Sequence, residues 1–419
     1  MSGTERTGPL THVRVVEVGS MISGPTAGRL LADLGADVVK VERPGDGDHL
    51  RRFGPQADGV GVWWKYLARN KRSVTLDLNA EKGRAVFEDL LSEADVLIEN
   101  FRPGTMERWG LGPDALHAVN PGLVMLRVSG FGQTGPDAER PGFGTLAEAM
   151  SGFAAVNGFP DRPPLLPPTG LADTLAGVYG AFATLAALHH RDRGTGERGA
   201  NADGGRGADA GTPAGQVVDT SLVEPVLNLL DPQILRYDAT GETERRTGNR
   251  STSSAPRNVY ETADGEYVAL AASAQPLAMR TFETIERPDL KADPRFATNE
   301  ARLDNVEELD RIVGEWMGRH TRAEVLARFA DCDATAAPVY DVPDLLADDH
   351  YRARESYVAV DDPDLGRVRL QNVVPKFGET PGEIRHLGPD RGAHNDAVYG
   401  DVLGYDADLR AELAADGVI

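Results

Sequence analysis

Residues 169–190, TGLADTLAGVYGAFATLAALHH, form an apolar run with one carboxylate near its head, Asp173. A carboxylate so placed has two readings. As a helix N-cap it accepts a backbone N–H of the following turn. As a covalent nucleophile it attacks an acyl or glycosyl centre without first losing a proton, because a carboxyl of ordinary pKa near ~3.9 is ionised at neutral pH. The second role needs an electrophile and donors for the developing oxyanion, and a nearby glycine such as Gly170 would expose backbone donors.

Other chemistry-bearing residues cluster after predicted strands. ENFRPGTMERWGL, residues 99–111, offers the amide of Asn100, the ring of Phe101 and the guanidiniums of Arg102 and Arg108. An aromatic beside arginines could stack an adenine and grip phosphates; otherwise this is a turn whose Phe packs inward. Arg43 can hold a phosphate with its planar fork, or be a solvated surface arginine. Glu42 stands where a dinucleotide fold keeps its ribose acid, but the first turn, GSMISGPTAG, lacks the GxGxxG spacing, which argues against a nicotinamide or flavin site. The loop SGFGQTGP, residues 129–136, is glycine-rich, and glycines alone turn a chain. The histidines suggest no triad, and His350, His386 and His394 have no ligand spacing, so no metal is expected.

These residues need a frame. VRVVEVG (13–19), DVVKVERPG (37–45), SVTLDL (73–78), DVLIEN (95–100) and LVMLRVSG (123–130) read as strands, separated by helices over 24–36, 80–94 and from near 113. Such alternation argues for a parallel, doubly wound sheet. QVVDTSLVEPVLNLL resumes as strand and helix after a Gly/Ala/Asp-rich stretch at 200–215, read as a disordered low-complexity insertion. From Thr252 the texture changes. A hairpin turning at Asp264-Gly265, then helices around 275–285, 305–318 and 322–331, indicate a smaller α+β domain over 225–330.

The chain has 419 residues and a formal net charge of -21. That surface should repel nucleic acid and anionic membranes, so neither is an expected partner. Only six lysines occur (Lys40, Lys65, Lys71, Lys82, Lys291 and Lys376), and an acidic, lysine-poor surface suits a salt-rich cytoplasm. One cysteine, Cys332, allows no intramolecular disulfide and fits a reducing compartment. The N-terminus has no apolar core of a secretory signal, and no uninterrupted apolar stretch spans a bilayer, so a cytoplasmic protein is expected.

Taken together, VRVVEVGSMISGPTAGRLLADLGADVVKVERPGDGD, the 70–111 stretch ending in ENFRPGTMERWGL, SGFGQTGP, PGFGTLAEAMSGF, GLADTLAGVYGA and the closing LGYDADLRAELAADGVI resemble the class III (CaiB/BaiF) CoA transferases. That is the family of formyl-CoA:oxalate and carnitine CoA transferases. The resemblance runs nearly end to end, apart from 194–215. It implies a Rossmann-like large domain built from both chain ends (1–199 and 331–419), a small middle domain, and an interlocked homodimer. It places the catalytic aspartate on Asp173. It places CoA contacts on Met21, Ile22, Arg43, residues 76–79 (Leu76 to Asn79), Asn100, Phe101, Arg102 and Arg108, with Phe143 beside the pantetheine.

The implied reaction has coenzyme A thioesters as substrates and needs no metal. Asp173 takes the acyl group from a donor thioester as an anhydride, and the CoA thiolate then converts it to an aspartyl-CoA thioester. The acceptor carboxylate reverses the sequence. Racemases of the same superfamily use a His-Asp dipeptide where this chain has Phe143-Gly144, and a phenyl ring cannot accept a proton. The glycine run that closes over intermediates in some members is replaced by GNRSTSSAPRN, residues 248–258, a stiffer and more polar loop. GFGTLAEAMSG looks closest to members acting on dicarboxylates such as malate, mesaconate or citramalate, with a succinyl-CoA-like donor. Transfer between two carboxylates of one acid is a variant of this reading. The alternatives are an acyl-CoA isomerase and a non-catalytic CoA-binding protein.

Overall fold

The computed structural model describes residues 6–195 and 214–419. Most of the 200–215 insertion, up to residue 213, lies outside the described residues. Six strands form one sheet: β1 (Arg14–Glu17), β2 (Asp37–Glu42), β3 (Arg72–Thr75), β4 (Val96–Glu99), β5 (Val124–Ser129) and β6 (Val217–Ser221). Their order is β3-β2-β1-β4-β5-β6 and every pairing is parallel. β4 and β5 are buried along their whole length, as the unbroken apolar runs VLI and VML require of strands covered on both faces. The strand order reverses direction between β1 and β4. In open α/β sheets, ligands bind at the carboxyl ends of the strands at such a point.

The helices that matter for the site are α1 (Ser23–Asp33), α2 (Glu81–Ser92), α3 (Gly144–Met150), α4 (Leu171–Thr195) and α5 (Val223–Leu229). α4 packs on α1, α3, α5, β5 and β6. Gly177 makes the α1 contact possible: a Cβ there would lie 2.6 Å from the Thr26 Cβ and 2.7 Å from the Ser23 carbonyl oxygen. The span Leu171–Arg193 of α4 is long and apolar enough, by length and composition, to cross a bilayer. This corrects the expectation that no such stretch exists. Asp173 and the small residues break the run to the eye but leave its mean hydropathy at 1.4. One face of α4 packs on five elements of the large unit, while Val178, Tyr179 and Phe182 stand exposed.

Buried charges lie beneath the β1–α1 turn. Glu17 accepts from Lys71 Nζ (2.6 Å) and pairs with Lys40 (3.2 Å), which also pairs with Asp48 (2.7 Å). Burial pushes Lys71 down to about 8, partly countered by Glu17. At the other flank, edge strand β3 is covered by the far end of the chain. Asn395 accepts the Thr75 N–H (2.9 Å) and Tyr399 donates to the Thr75 carbonyl (2.7 Å). A last helix spans Ala407–Ala415.

The chain divides into two compact units. The first holds residues up to Gly152, then Pro167–Asp231 and Arg354–Ile419; the second holds Phe153–Leu166 and Pro232–Ala353. The second unit therefore extends past the expected limit of 330. The cause is local: β9 (Ala336–Pro338) pairs antiparallel with β8 (Tyr267–Ala271), whose other neighbour is β7 (Arg257–Glu261). The hairpin turns where expected, with Gly265 at φ +78°. The 248–258 segment is tied down within this unit. Arg250 and Asn258 donate to Asp310 (2.6 and 2.9 Å), and Asn299 donates to the Ser253 carbonyl (3.0 Å).

Candidate active site

Asp173 is the third residue of α4, so the N-cap position falls on Gly170 and the capping reading is not realised. Among the described residues, no donor is hydrogen-bonded to its half-buried carboxylate. The carboxylate rests against the backbone of Gly144, the first residue of α3: a Cβ on Gly144 would lie 2.3 Å from Asp173 Oδ2. Only a residue without a side chain fits there. Ile22 closes another side, its Cδ1 3.2 Å from where a Cβ on Gly170 would stand. Burial pushes the Asp173 carboxyl up to about 6, and the negative charge of Glu148 adds to the push. A carboxyl of that pKa is mostly ionised at pH 7, yet more basic than an ordinary carboxylate, which suits a nucleophile.

Met21 and Ile22 form the turn from β1 into α1. Met21 adopts φ +64°, a left-handed conformation uncommon for a non-glycine residue. Its N–H points at Asp48 Oδ1 over a long 3.4 Å. Asn100 fixes this turn from the end of β4. Its Oδ1 accepts the Ser20 N–H (2.7 Å), and its Nδ2 donates to the Ser20 carbonyl (2.7 Å) and Ser23 Oγ (3.1 Å). The Asn100 amide thus shapes the turn that carries Met21 and Ile22.

The other expected contacts are distributed along the carboxyl ends of the strands. Arg43 follows β2, Arg102 follows β4, and Arg108 closes the short helix Thr105–Arg108; all three are exposed. Among the described residues none of them is ion-paired, and Arg108 donates to Thr105 Oγ1 (2.9 Å). Three guanidiniums free of ion pairs at one sheet edge suit a polyanionic ligand. Phe101 packs edge-on to Trp109, with ring centroids 5.2 Å apart, and lies against the core. Leu76 is 1% exposed, so its side chain belongs to the core and only its backbone could meet a ligand. Asn79 is exposed and turns back onto Asp77. Phe143, immediately before Gly144, is 69% exposed. A cleft of about 470 Å³ opens beside this edge, with Pro103, Gly104, Arg127 and Gln133 in its wall. Asp173 is not part of that wall.

Sequence reading missed Glu148. On α3 the buried positions are Gly144, Ala147 and Glu148, so this glutamate lies on the inward face. Its Oε1 accepts the Ala172 N–H (3.2 Å), one residue before the candidate nucleophile. The signal was available: a charged residue one helical turn from Gly144, in phase with the apolar face.

A family profile described as CoA-transferase family III matches residues 10–395. The chain is 43% identical over 420 residues to a succinyl-CoA--D-citramalate CoA-transferase of Chloroflexus aurantiacus, covering 100% of both chains. It is 41% identical to the beta subunit of a succinyl-CoA--L-malate CoA-transferase of the same organism, covering 96% of each. Its fold matches a crystal structure of a CAIB/BAIF family protein from Brucella suis with a TM-score of 0.80 at 32% identity, covering 95% of this chain and 100% of that one.

Proposed function

Since the chain belongs to CoA-transferase family III and is a CoA-transferase, we propose that it moves CoA from a succinyl-CoA-type donor to a small dicarboxylic acid of the malate or citramalate kind, with Asp173 as the covalent nucleophile. The observation that carries the reading is the Asp173 carboxylate itself. It is half-buried, free of hydrogen-bond donors among the described residues, pressed against Gly144 and pushed up to about 6.

Asp173 attacks the thioester carbonyl and expels CoA thiolate, leaving an aspartyl-acyl anhydride. The thiolate attacks the aspartyl carbonyl, forming an aspartyl-CoA thioester and releasing the donor acid. The acceptor carboxylate attacks that thioester, giving a new anhydride, and returning thiolate takes the acceptor acyl group and frees Asp173. Every step exchanges one acyl bond for another, so the thioester's free energy is kept only where water is excluded. Arg43, Arg102 and Arg108 hold the phosphates of CoA, and the Met21–Ile22 turn steers the pantetheine toward Asp173. The isomerase alternative is disfavoured by Phe143-Gly144, since the volume beside Gly144 is already filled by the Asp173 carboxylate.

The interlocked homodimer belongs to the same proposal. An apolar face of Leu146, Met150, Val178, Tyr179, Phe182 and Leu229 stands exposed on α3, α4 and α5, with Phe182 at 71%. A patch of that kind marks a protein contact. Light scattering of the purified protein should give twice the chain mass of 44.9 kDa.

The test of the chemistry is intact-protein mass spectrometry after mixing with succinyl-CoA, with trapping by hydroxylamine or borohydride. A modification on Asp173, absent from Asp173→Asn, supports the reading. If no acyl-CoA in a panel modifies the protein, the covalent mechanism fails.

A further inference from the structure

Glu148 is 3% exposed, and no cation is ion-paired with it among the described residues. Its carboxylate receives the Ala172 N–H, one of the N–H groups that the first turn of a helix leaves unsatisfied. We propose that Glu148 is a positioning residue for the Asp173 nucleophile: it pins the first turn of α4 and, by its uncompensated charge, raises the energy of the resting Asp173 carboxylate relative to the acylated one. This rests on the reading of Asp173 as the nucleophile.

The argument follows the charge. In the resting enzyme two carboxylates share a buried region. When Asp173 attacks a thioester, a C–O bond forms, the C–S bond breaks, and the negative charge leaves on the CoA thiolate. The aspartyl anhydride and the aspartyl thioester are both uncharged at residue 173. Glu148 therefore repels the resting nucleophile and neither intermediate. Repulsion that vanishes on acylation makes Asp173 more basic and tilts the covalent equilibrium toward acylation. The direction of the Asp173 shift agrees with this.

Among the described residues, the charged groups of the neighbouring elements are engaged with partners of their own. On α1, Arg29 and Asp33 pair with each other at 3.2 Å, and Asp33 is also held by Arg69. On β5, Arg127 is taken by Glu99 and Glu107. On β6, Asp219 accepts the Gln133 N–H. On α5, Glu224 accepts from Ser221 Oγ. The charged residues of α4 itself other than Asp173, from His189 to Arg193, lie at its opposite end, roughly 24 Å away at 1.5 Å rise per residue.

The discriminating variant is Glu148→Gln, whose amide oxygen still accepts the Ala172 N–H while the charge is gone. A merely structural glutamate would leave the pH profile in place. The proposal expects the acidic limb of kcat/KM to move down by about half to one pH unit, with KM for the CoA thioester little changed. It also expects the fraction of enzyme trapped as acyl-Asp173 at pH 7 to fall several-fold.

If wild type is acylated at Asp173 while the variant shows the same limb and the same trapped fraction, the Glu148 proposal is wrong and the nucleophile reading stands. If wild type is not acylated at all, the nucleophile reading fails first, and this one with it. Should Glu148→Gln not fold, Glu148→Asp, which keeps the charge, is compared with Glu148→Asn, which drops it at the same length: the acidic limb is expected to move down only in the second, and equal limbs in the two overturn the proposal.

Discussion

Asp173 and Gly144 compete for one volume, and the carboxylate has it. Gly144→Ala puts a methyl 2.3 Å from Asp173 Oδ2, closer than any relaxed contact allows, so the carboxylate must rotate away. Turnover should fall at least about 100-fold, because catalysis depends on near-attack geometry, while CoA affinity in equilibrium dialysis stays within a few-fold. Asp173→Asn should abolish turnover, with a further effect on stability. The folded-state carboxyl sits at about 6, against 3.8 for an aspartate free of the fold. A raised carboxyl favours the folded state fully below the lower value and loses that contribution as pH rises through the upper one. At neutral pH the charged aspartate therefore costs stability, and Asp173→Asn should raise the unfolding free energy by about 2–3 kcal/mol at pH 8 and by nothing near pH 3 in urea titrations. Asp173 stood out in the sequence because a lone carboxylate heading an apolar run is conspicuous, while the choice between cap and nucleophile came only with the family resemblance. For Asn100 the sequence left the engagement of the amide open, because its type suits a ligand as well as a turn, and only coordinates show that it bonds Ser20 and Ser23. Glu148 was legible only as a charged residue one helical turn from Gly144, in phase with the apolar face of a seven-residue helix, and a solvated glutamate is the commoner reading of such a position.

Strands and helices of the large sheet could be read almost to their ends, because β-branched runs and amphipathic stretches alternate without ambiguity. The glycines of α4 include contact surface: Gly177 lets α1 approach. Gly177→Ala sets helix propensity against that contact, and the sign decides. Intrinsic propensity alone would stabilise the helix by about 1 kcal/mol. A Cβ 2.6 Å from Thr26 forces α1 and α4 apart, which costs about 1–3 kcal/mol in a packed core. Net destabilisation is expected, and a raised melting temperature would mean that the two helices shift freely. The small unit was bounded too early because β9 is only three residues long, below what a sequence pattern reveals.

At the scale of the whole molecule, the charge of -21 is the property most plainly written in the sequence. Self-repulsion at low ionic strength should soften the fold, so unfolding temperature should climb between low and molar salt. The two units were less legible, since the large one returns to complete itself after more than a hundred residues spent elsewhere. The guanidiniums of Arg43, Arg102 and Arg108, without an ion pair among the described residues, have a consequence for the speed of encounter. A CoA thioester is itself a polyanion. Far from the protein it meets a repulsive ionic atmosphere, and only within a few ångströms of the sheet edge does it meet attraction. Salt at physiological strength screens beyond about 8 Å and so removes the far barrier before it weakens the near contacts. The association rate measured by stopped flow should accordingly rise with added salt, pass through a maximum and then fall, whereas a ligand steered by complementary charge only slows.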